Sequence, residues 1–392
     1  MKYNFEEVVD RKNTNAIKWE KYEKDESLKD CVPLWIADMD IPVCKEVVDA
    51  IVARAKHPVY GYTSAKEELY ELIVEWYKKR NNASILKEEI ILSTGVVHSY
   101  FHMIQKLLKE DEKIIIMTPV YPPFYHVPEN MNREFVCCPL IQEGLEYRID
   151  YDLFEKMLSE DPKIKLFNLC NPHNPLGIDF SLEELNKMCE ICHRYGVYIL
   201  SDEIHSDLIM PGYRHNTALN IKDEYKDKLI VTASPTKTFN IAGLKISYLI
   251  VPNKELREEL NQQFSTSGCS DINLFGLEAT VAAYKNAEEW LDELLEHIQN
   301  NFNFLKDYLN KNLPKVKFKM PTSTYLAWLD LTEYDLPQDF QERLMKEGNV
   351  EFNPGINFKG EYRHLRINVA CPRSQLEKGL DNLKTWLEKN NE

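Results

Sequence analysis

The chain has 392 residues, 44% of them hydrophobic, and a formal net charge of −15 at pH 7. That length leaves room for about two or three domains, and the acidic balance argues against a general nucleic-acid binder, which carries a basic face. No apolar run approaches the roughly 20 residues that span a bilayer, and the start, Met1-Lys2-Tyr3-Asn4-Phe5, has no secretory pattern, so a cytoplasmic protein that contacts neither membrane nor nucleic acid is expected. Nine cysteines at irregular spacing read as reduced, buried thiols rather than a disulfide framework.

In chain order, residues 1–45 read as an N-terminal arm that joins a smaller domain, 46–286 as the large domain, and 287–392 as the smaller one. The arm contains Trp35-Ile36-Ala37-Asp38-Met39-Asp40, which by itself reads as a tight turn with capping aspartates. A helix follows from Lys45 to Arg54. The next segment, His57-Pro58-Val59-Tyr60-Gly61-Tyr62-Thr63, is a glycine-containing loop.

Ile90-Ile91-Leu92-Ser93-Thr94-Gly95-Val96-Val97-His98 reads as a strand, a glycine turn and then a helix running to about Leu108. A strand that feeds a helix through glycine leaves free N–H groups at a positive dipole end, here those of Gly95, Val96 and Val97. That geometry suits phosphate, although one Thr-Gly turn is a weak signal. A second strand, Lys113–Met117, leads into Thr118-Pro119-Val120-Tyr121-Pro122-Pro123, where flanking prolines could fix Tyr121 as a flat face. A third, Lys165–Cys170, leads into Asn171-Pro172-His173-Asn174-Pro175, a rigid irregular turn able to aim the Asn174 amide.

The helix Leu182–Tyr195 carries Cys189-Glu190-Ile191-Cys192-His193. The spacing matches a haem-attachment pattern, but an amphipathic helix between two strands reads better as two thiols on a helix face. No metal site is expected. A fourth strand, Val197–Ser201, ends at Asp202, where open α/β sheets bind ligands; His205 follows three residues later.

The strand Leu229–Thr232 precedes Ser234-Pro235-Thr236-Lys237-Thr238-Phe239-Asn240-Ile241-Ala242-Gly243-Leu244-Lys245. Burial penalises an ammonium, so a lysine just past a buried strand can become a neutral nucleophile able to condense with an aldehyde. Ser234 and Lys245 flank it and could hold an anion. An ordinary turn lysine is the alternative. Another strand, Ile246–Val251, and a long helix from about Ala287 to Asn310 follow. In His364-Leu365-Arg366-Ile367-Asn368-Val369-Ala370-Cys371-Pro372-Arg373, the alternation could turn Arg366 inward to fork a carboxylate. No pattern is readable between Ser265 and Asp271.

A serine three residues before a lysine, with a basic residue eight after it, resembles the cofactor segment of fold-type I pyridoxal phosphate (PLP) enzymes. The version Lys-Thr-Phe-Asn-Ile-Ala-Gly-Leu, with the Trp-x-Ala-Asp-Met-Asp and Asn-Pro motifs, is similar to the MalY/PatB-type C–S lyases of the class I/II aminotransferase superfamily. The resemblance runs from Trp35 to Arg373. It implies an α/β fold with a mostly parallel mixed sheet flanked by helices, and a smaller α+β domain.

It further implies PLP on Lys237, its phosphate near Gly95, Val96, Val97, Ser234 and Lys245, Tyr121 on its ring, and Asn174 at its phenolic oxygen. Asp202 would face the ring nitrogen with His205 close by. Arg366 and the backbone of Ala37 would receive the carboxylate of a small amino-acid substrate. Tyr62 would reach the phosphate of a neighbouring subunit, which implies a homodimer with shared active sites. The implied activity is β-elimination of cysteine S-conjugates such as cystathionine. An aminotransferase would use the same residues, and a PLP-binding regulatory protein acting by protein contact is a further reading. Two positions depart from the family: Lys245 stands where many members have arginine, and Thr322-Ser323 where an acidic residue and glycine are common.

Overall fold

The computed structural model describes residues 2–390; Met1, Asn391 and Glu392, the outer ends of the expected arm and smaller domain, lie outside the described residues. Its centre is a seven-stranded sheet in the spatial order 90–93, 247–250, 229–233, 198–202, 164–170, 113–118, 135–139. Neighbours from 229–233 through to 135–139 are parallel, whereas Ser247–Ile250 is antiparallel on both sides. This is the mostly parallel mixed sheet of the expected α/β fold. The strands Leu229–Ala233 and Ser247–Ile250 are buried at every position, as a sheet covered on both faces requires.

Local chemistry sets the helices between these strands. Leu182–Tyr195 starts at a reciprocal capping box, Ser181 with Glu184, and stops at Gly196 in the left-handed conformation (φ 67°). Its inner face carries Leu185, Met188, Cys189, Ile191 and Cys192 into the core. His193 lies on the exposed side against Asp227. Val96–Leu107 begins directly after Gly95, whose φ of 153° and ψ of 145° belong to a region that side chains resist.

Observed ends differ from the expected ones by a residue or two. The strand expected to stop at Ser201 includes Asp202, and the long helix runs Glu288–Asn312, separated from Leu274–Asn286 by a break at Ala287. Lys237 does not sit in an open loop after its strand: Pro235–Thr238 forms one helical turn capped by Ser234.

A second, antiparallel sheet has the order 317–318, 326–330, 364–368, 353–354. Arg366 therefore lies on an interior strand, opposite Trp328 on one side and Asn353 on the other. The arm reaches this part of the chain, because Val32–Pro33 pairs in parallel with Val350–Glu351. Among the described residues, no helix is long and apolar enough to cross a membrane.

A buried ionic cluster ties down the arm. The Lys18 Nζ lies 2.7 Å from Asp40 Oδ2, and Arg11 reaches Asp40 and Asp38 at 2.7 Å each. Gln375 donates to the same Asp40 carboxylate at 2.7 Å. Burial alone would raise the Asp40 pKa, but Lys18 and Arg11 outweigh it and hold the carboxyl below its ordinary value. A depressed carboxylate contributes stability above the unfolded pKa of about 3.9, and loses it as pH falls through the folded value. Removing one partner of such a pair costs about 3 kcal/mol or more. Lys18→Ala is therefore expected to lower the unfolding free energy by about 3 kcal/mol at neutral pH, read by urea titration, and the deficit should shrink as pH falls below about 4.

Candidate active site

The carboxyl ends of the parallel strands open onto a cavity of about 480 Å³, the place where open α/β sheets bind ligands. Its wall brings together Ala37, Gly95, Val96, Val97, Tyr121, Asn174, Asp202, His205, Lys237 and Lys245, residues spread over two hundred positions of sequence. Arg366 is buried beside it and donates to Asn174 Oδ1 at 3.1 Å and to the Trp35 carbonyl at 2.8 Å.

Each charged group here is short of a counter-charge. Asp202 is buried and its carboxylate accepts one hydrogen bond, from the Ile204 N–H at 3.1 Å. Burial pushes its pKa up to about 7, against the lowering effect of that N–H and of Lys237. The Lys237 amine donates to the Ala37 carbonyl. Burial brings its pKa down to about 8, and Arg366 adds to the fall while Asp38 and Asp202 oppose it. His205, buried beside Lys237 and Arg366, is pushed down to about 3, chiefly by desolvation, so its ring is neutral. Its Nδ1 has no partner among the described residues.

Arg366 is itself lowered to about 10 by burial. Among the described residues its guanidinium has no carboxylate partner and its Nε is unsatisfied, and it lies 4.8 Å above the Phe358 ring. A buried, carboxylate-free guanidinium suits a carboxylate ligand.

At the other end of the cavity, the first turn of the 96–107 helix presents N–H groups with no intrahelical acceptor. A Cβ on Gly95 would meet nothing within 4 Å, so open space lies in front of them. Thr94, Thr236 and the exposed Lys245 also line the cavity. The donor set therefore fits PLP: an anion-binding end, a buried carboxylate without a cation, an amine poised near neutrality and a flat aromatic at Tyr121.

Two expected residues are placed apart from the others. The Ser234 hydroxyl caps its helical turn, accepting from Thr236 N–H at 3.1 Å, and donates to the Ile246 carbonyl at 2.6 Å; Thr236 is the hydroxyl residue of this turn that lines the cavity. Tyr62 is fully exposed on an irregular segment and is not among the lining residues.

Tyr325 has no site signal in the sequence, yet its hydroxyl donates to the Ala37 carbonyl at 3.0 Å and its ring packs edge-on against His205. It is aimed by Thr324, a buried β-branched residue held at φ 66°, a strained conformation of the kind that persists where surroundings over-determine it. The Thr324 N–H donates to Leu208 O at 2.6 Å, and its Oγ1 accepts from Leu326 N–H. Thr322-Ser323, the departure noted above, is fastened next to it by N–H bonds to the Gly177 carbonyl.

Comparison with known proteins gives the family of the chain. Residues 29–383 match the family profile described as aminotransferase class I and II. The chain is 36% identical to the cystathionine beta-lyase PatB of Bacillus subtilis, over 98% of this chain and 100% of the relative. It is 30% identical to the protein MalY of Escherichia coli, over 97% and 98% of the two chains. Among solved structures, cystalysin from Treponema denticola, which contains a pyridoxal 5′-phosphate cofactor, superposes with a TM-score of 0.95 at 32% identity, covering 100% of both chains.

The raised Asp202 pKa has a stability consequence. A carboxyl whose folded value exceeds its unfolded one contributes fully below the unfolded pKa of about 3.9, and the contribution is lost as pH rises through the folded value near 7. A rise from 3.8 to about 7 corresponds to at most about 4 kcal/mol. Asp202→Asn should therefore raise the melting temperature of the cofactor-stripped protein above pH 7. The gain should vanish towards pH 4, as thermal melts across that range will read.

Proposed function

The chain belongs to the class I and II aminotransferase family, in its PatB/MalY branch, and from that premise we propose that it is a PLP-dependent carbon–sulfur β-lyase. It acts on cysteine S-conjugates such as cystathionine, and with one water the products are a thiol, pyruvate and ammonia. The observation that carries the reading is one cavity whose wall holds an amine near neutrality and a buried carboxylate, with a buried guanidinium beside it that has no carboxylate partner among the described residues.

PLP, when bound, supplies an aldehyde that condenses with amines and a protonated ring that takes up the electron pair left at Cα. Lys237 would hold the aldehyde carbon, Asp202 the ring nitrogen, Asn174 the phenolic oxygen and Tyr121 the ring face. The N–H groups of the 96–107 helix, with Lys245, would hold the phosphate. Asp202, once facing a cation, stays ionised, which favours the protonated ring.

Arg366 receives the substrate carboxylate, with Asn174 and the Trp35 carbonyl holding its fork in place. That contact would leave the rest of the substrate in the cavity that Lys237 lines. The Lys237 amine, released when substrate takes its place, is a base of suitable strength, since its pKa lies near 8. It takes the Cα proton, and departure of the sulfur from Cβ follows. The neutral imidazole of His205 and the Tyr325 hydroxyl border this space without adding charge. Transamination needs the same groups up to Cα deprotonation; the PatB and MalY likeness favours elimination.

Tyr62 supports a second proposal, a homodimer with shared sites. It stands fully exposed with Val59 and Tyr60, close in sequence to the exposed Val48 and Val52 of the preceding helix. A single chain leaves this apolar group in water, and a two-fold partner would cover it twice.

Two measurements test these proposals. Wild-type protein should convert cystathionine to equimolar pyruvate and ammonia without an added 2-oxo acid, and borohydride should fix the cofactor to the peptide containing Lys237. Lys237→Ala should lose at least about 10²–10⁴-fold of turnover; dependence on a 2-oxo acid would instead indicate transamination. Co-expressed Tyr62→Ala and Lys237→Ala chains should regain partial activity, because a mixed dimer holds one site with both native residues. Verified mixed dimers without any gain over the parents would place Tyr62 outside the site.

A further inference from the structure

A cluster at the edge of the cavity, in which His98 lines the wall while His102 and Cys269 lie behind it, joins two parts of the chain that sequence does not connect. His98 and His102 stand one turn apart on the same face of the 96–107 helix. Cys269 sits in the turn after the helix Lys254–Thr266, in the stretch without a readable pattern. His102 and Cys269 are buried and His98 is exposed. The two Nε2 atoms are 3.4 Å apart, and the Cys269 Sγ lies 3.7 Å from His98 Nε2 and 2.9 Å from His102 Nε2.

These separations can be set against a metal's own. Zinc takes imidazole nitrogen at about 2.0–2.1 Å and thiolate at about 2.3 Å in a tetrahedron, which places N···N at about 3.3 Å and N···S at about 3.6 Å. Two of the three observed distances match. The third is a hydrogen-bond distance that needs to open by about 0.7 Å to admit an ion. His98 is also oriented from behind: its Nδ1 bonds the Thr94 hydroxyl, which leaves Nε2 to face the cluster, as outer partners of metal-bound histidines do.

We propose that His98, His102 and Cys269 form a binding site for a borderline-soft divalent ion, zinc first, with the fourth position open on the exposed His98 side. Three protein ligands of this kind with one open position are a zinc arrangement, and the Cys269 thiol releases its proton to solvent on binding. The site is independent of the β-lyase reading. Its consequence is mechanical: the ion fastens the 267–271 turn to the helix whose first turn, Gly95-Val96-Val97, faces the cavity. Metal affinity and cofactor affinity are then linked, each favouring the other by the same factor.

The test uses the PLP-loaded protein. It should bind one zinc per chain, in competition with a chromophoric chelator in the micromolar range, and its melting temperature should rise with zinc. Cys269→Ser and His102→Gln should each weaken zinc at least about tenfold and abolish the thermal shift, while borohydride still fixes cofactor at Lys237. Because either variant could unfold, cobalt gives an independent readout on wild-type protein: intense d–d bands, to the red of the cofactor's absorption, report tetrahedral ligation. Failure of the wild type to bind zinc in that range, zinc retained undiminished by both folded variants, or weak octahedral cobalt bands would each overturn the proposal.

Discussion

Lys237, Arg366 and Tyr325 all bond to the backbone of one short segment, residues 35–39. Its carbonyls are not spent on regular secondary structure; side chains from both parts of the molecule take them instead. Arg366 donates to Trp35 O, Asn368 to Ile36 O and Asp38 O, Tyr325 and Lys237 to Ala37 O, and Asn240 to Met39 O. Arg366, Asn368 and Tyr325 come with the smaller sheet, Lys237 and Asn240 with the turn beyond the large one. A buried carbonyl left without a donor costs roughly 1–3 kcal/mol, so this segment and its five donors hold one another in register. The ionic cluster of Lys18, Arg11, Asp38 and Asp40 lies just behind it, and keeps the segment from relaxing toward solvent.

The electrostatics of the cavity run against stability. Asp202, Lys237, His205 and Arg366 all have pKa values moved in the direction that disfavours charge. A chain selected for stability alone would pair or remove such groups. Here the ion pairs that do form lie elsewhere: Asp179 and Glu203 enclose His215 and, despite burial, lift its pKa to about 10. That contrast separates a structural buried ion cluster from a site waiting for charged ligands, and it is a property of partners rather than of burial, since both are equally enclosed.

Much of this was legible in the sequence, for reasons that can be named. Asp202 ends one buried strand and Lys237 lies just past another, and a strand's end is a fixed point in an open sheet. Arg366 stood in an alternating run between apolar neighbours, and its inward position follows from the period of two. What stayed hidden depended on contacts between distant segments. Tyr325 looks like any core tyrosine until Thr324 is seen in the left-handed region. Ser234 looked like an anion ligand because of its spacing, but the turn it opens claims its hydroxyl as a cap. The one-turn spacing of His98 and His102 was visible; their partner Cys269, 167 residues from His102, was not. The bounds of helices and strands moved by a residue or two, since capping side chains and hydrogen bonds set the ends while periodicity marks only the middles.

The group proposed to hold the phosphate shows how one departure from the family could be absorbed. An arginine would offer a planar fork that orients an anion as well as attracting it, whereas a lysine is a flexible point charge. With Lys245, direction has to come from groups that cannot swivel. The first turn of the 96–107 helix supplies them: its N–H groups are fixed by the helix itself, and Gly95 keeps the approach clear of any Cβ. Lys245 adds attraction from a backbone in the left-handed conformation, φ 52°, at the end of the short Ala242–Leu244 turn. Orientation thus rests on the backbone and charge on a side chain, so the position of this helix, rather than the identity of the basic residue, decides how an anion sits. Any contact that steadies the helix, whether the Ser99–Ser93 hydroxyl pair beneath it or the packing of His102 against Phe264, acts on the site through that backbone.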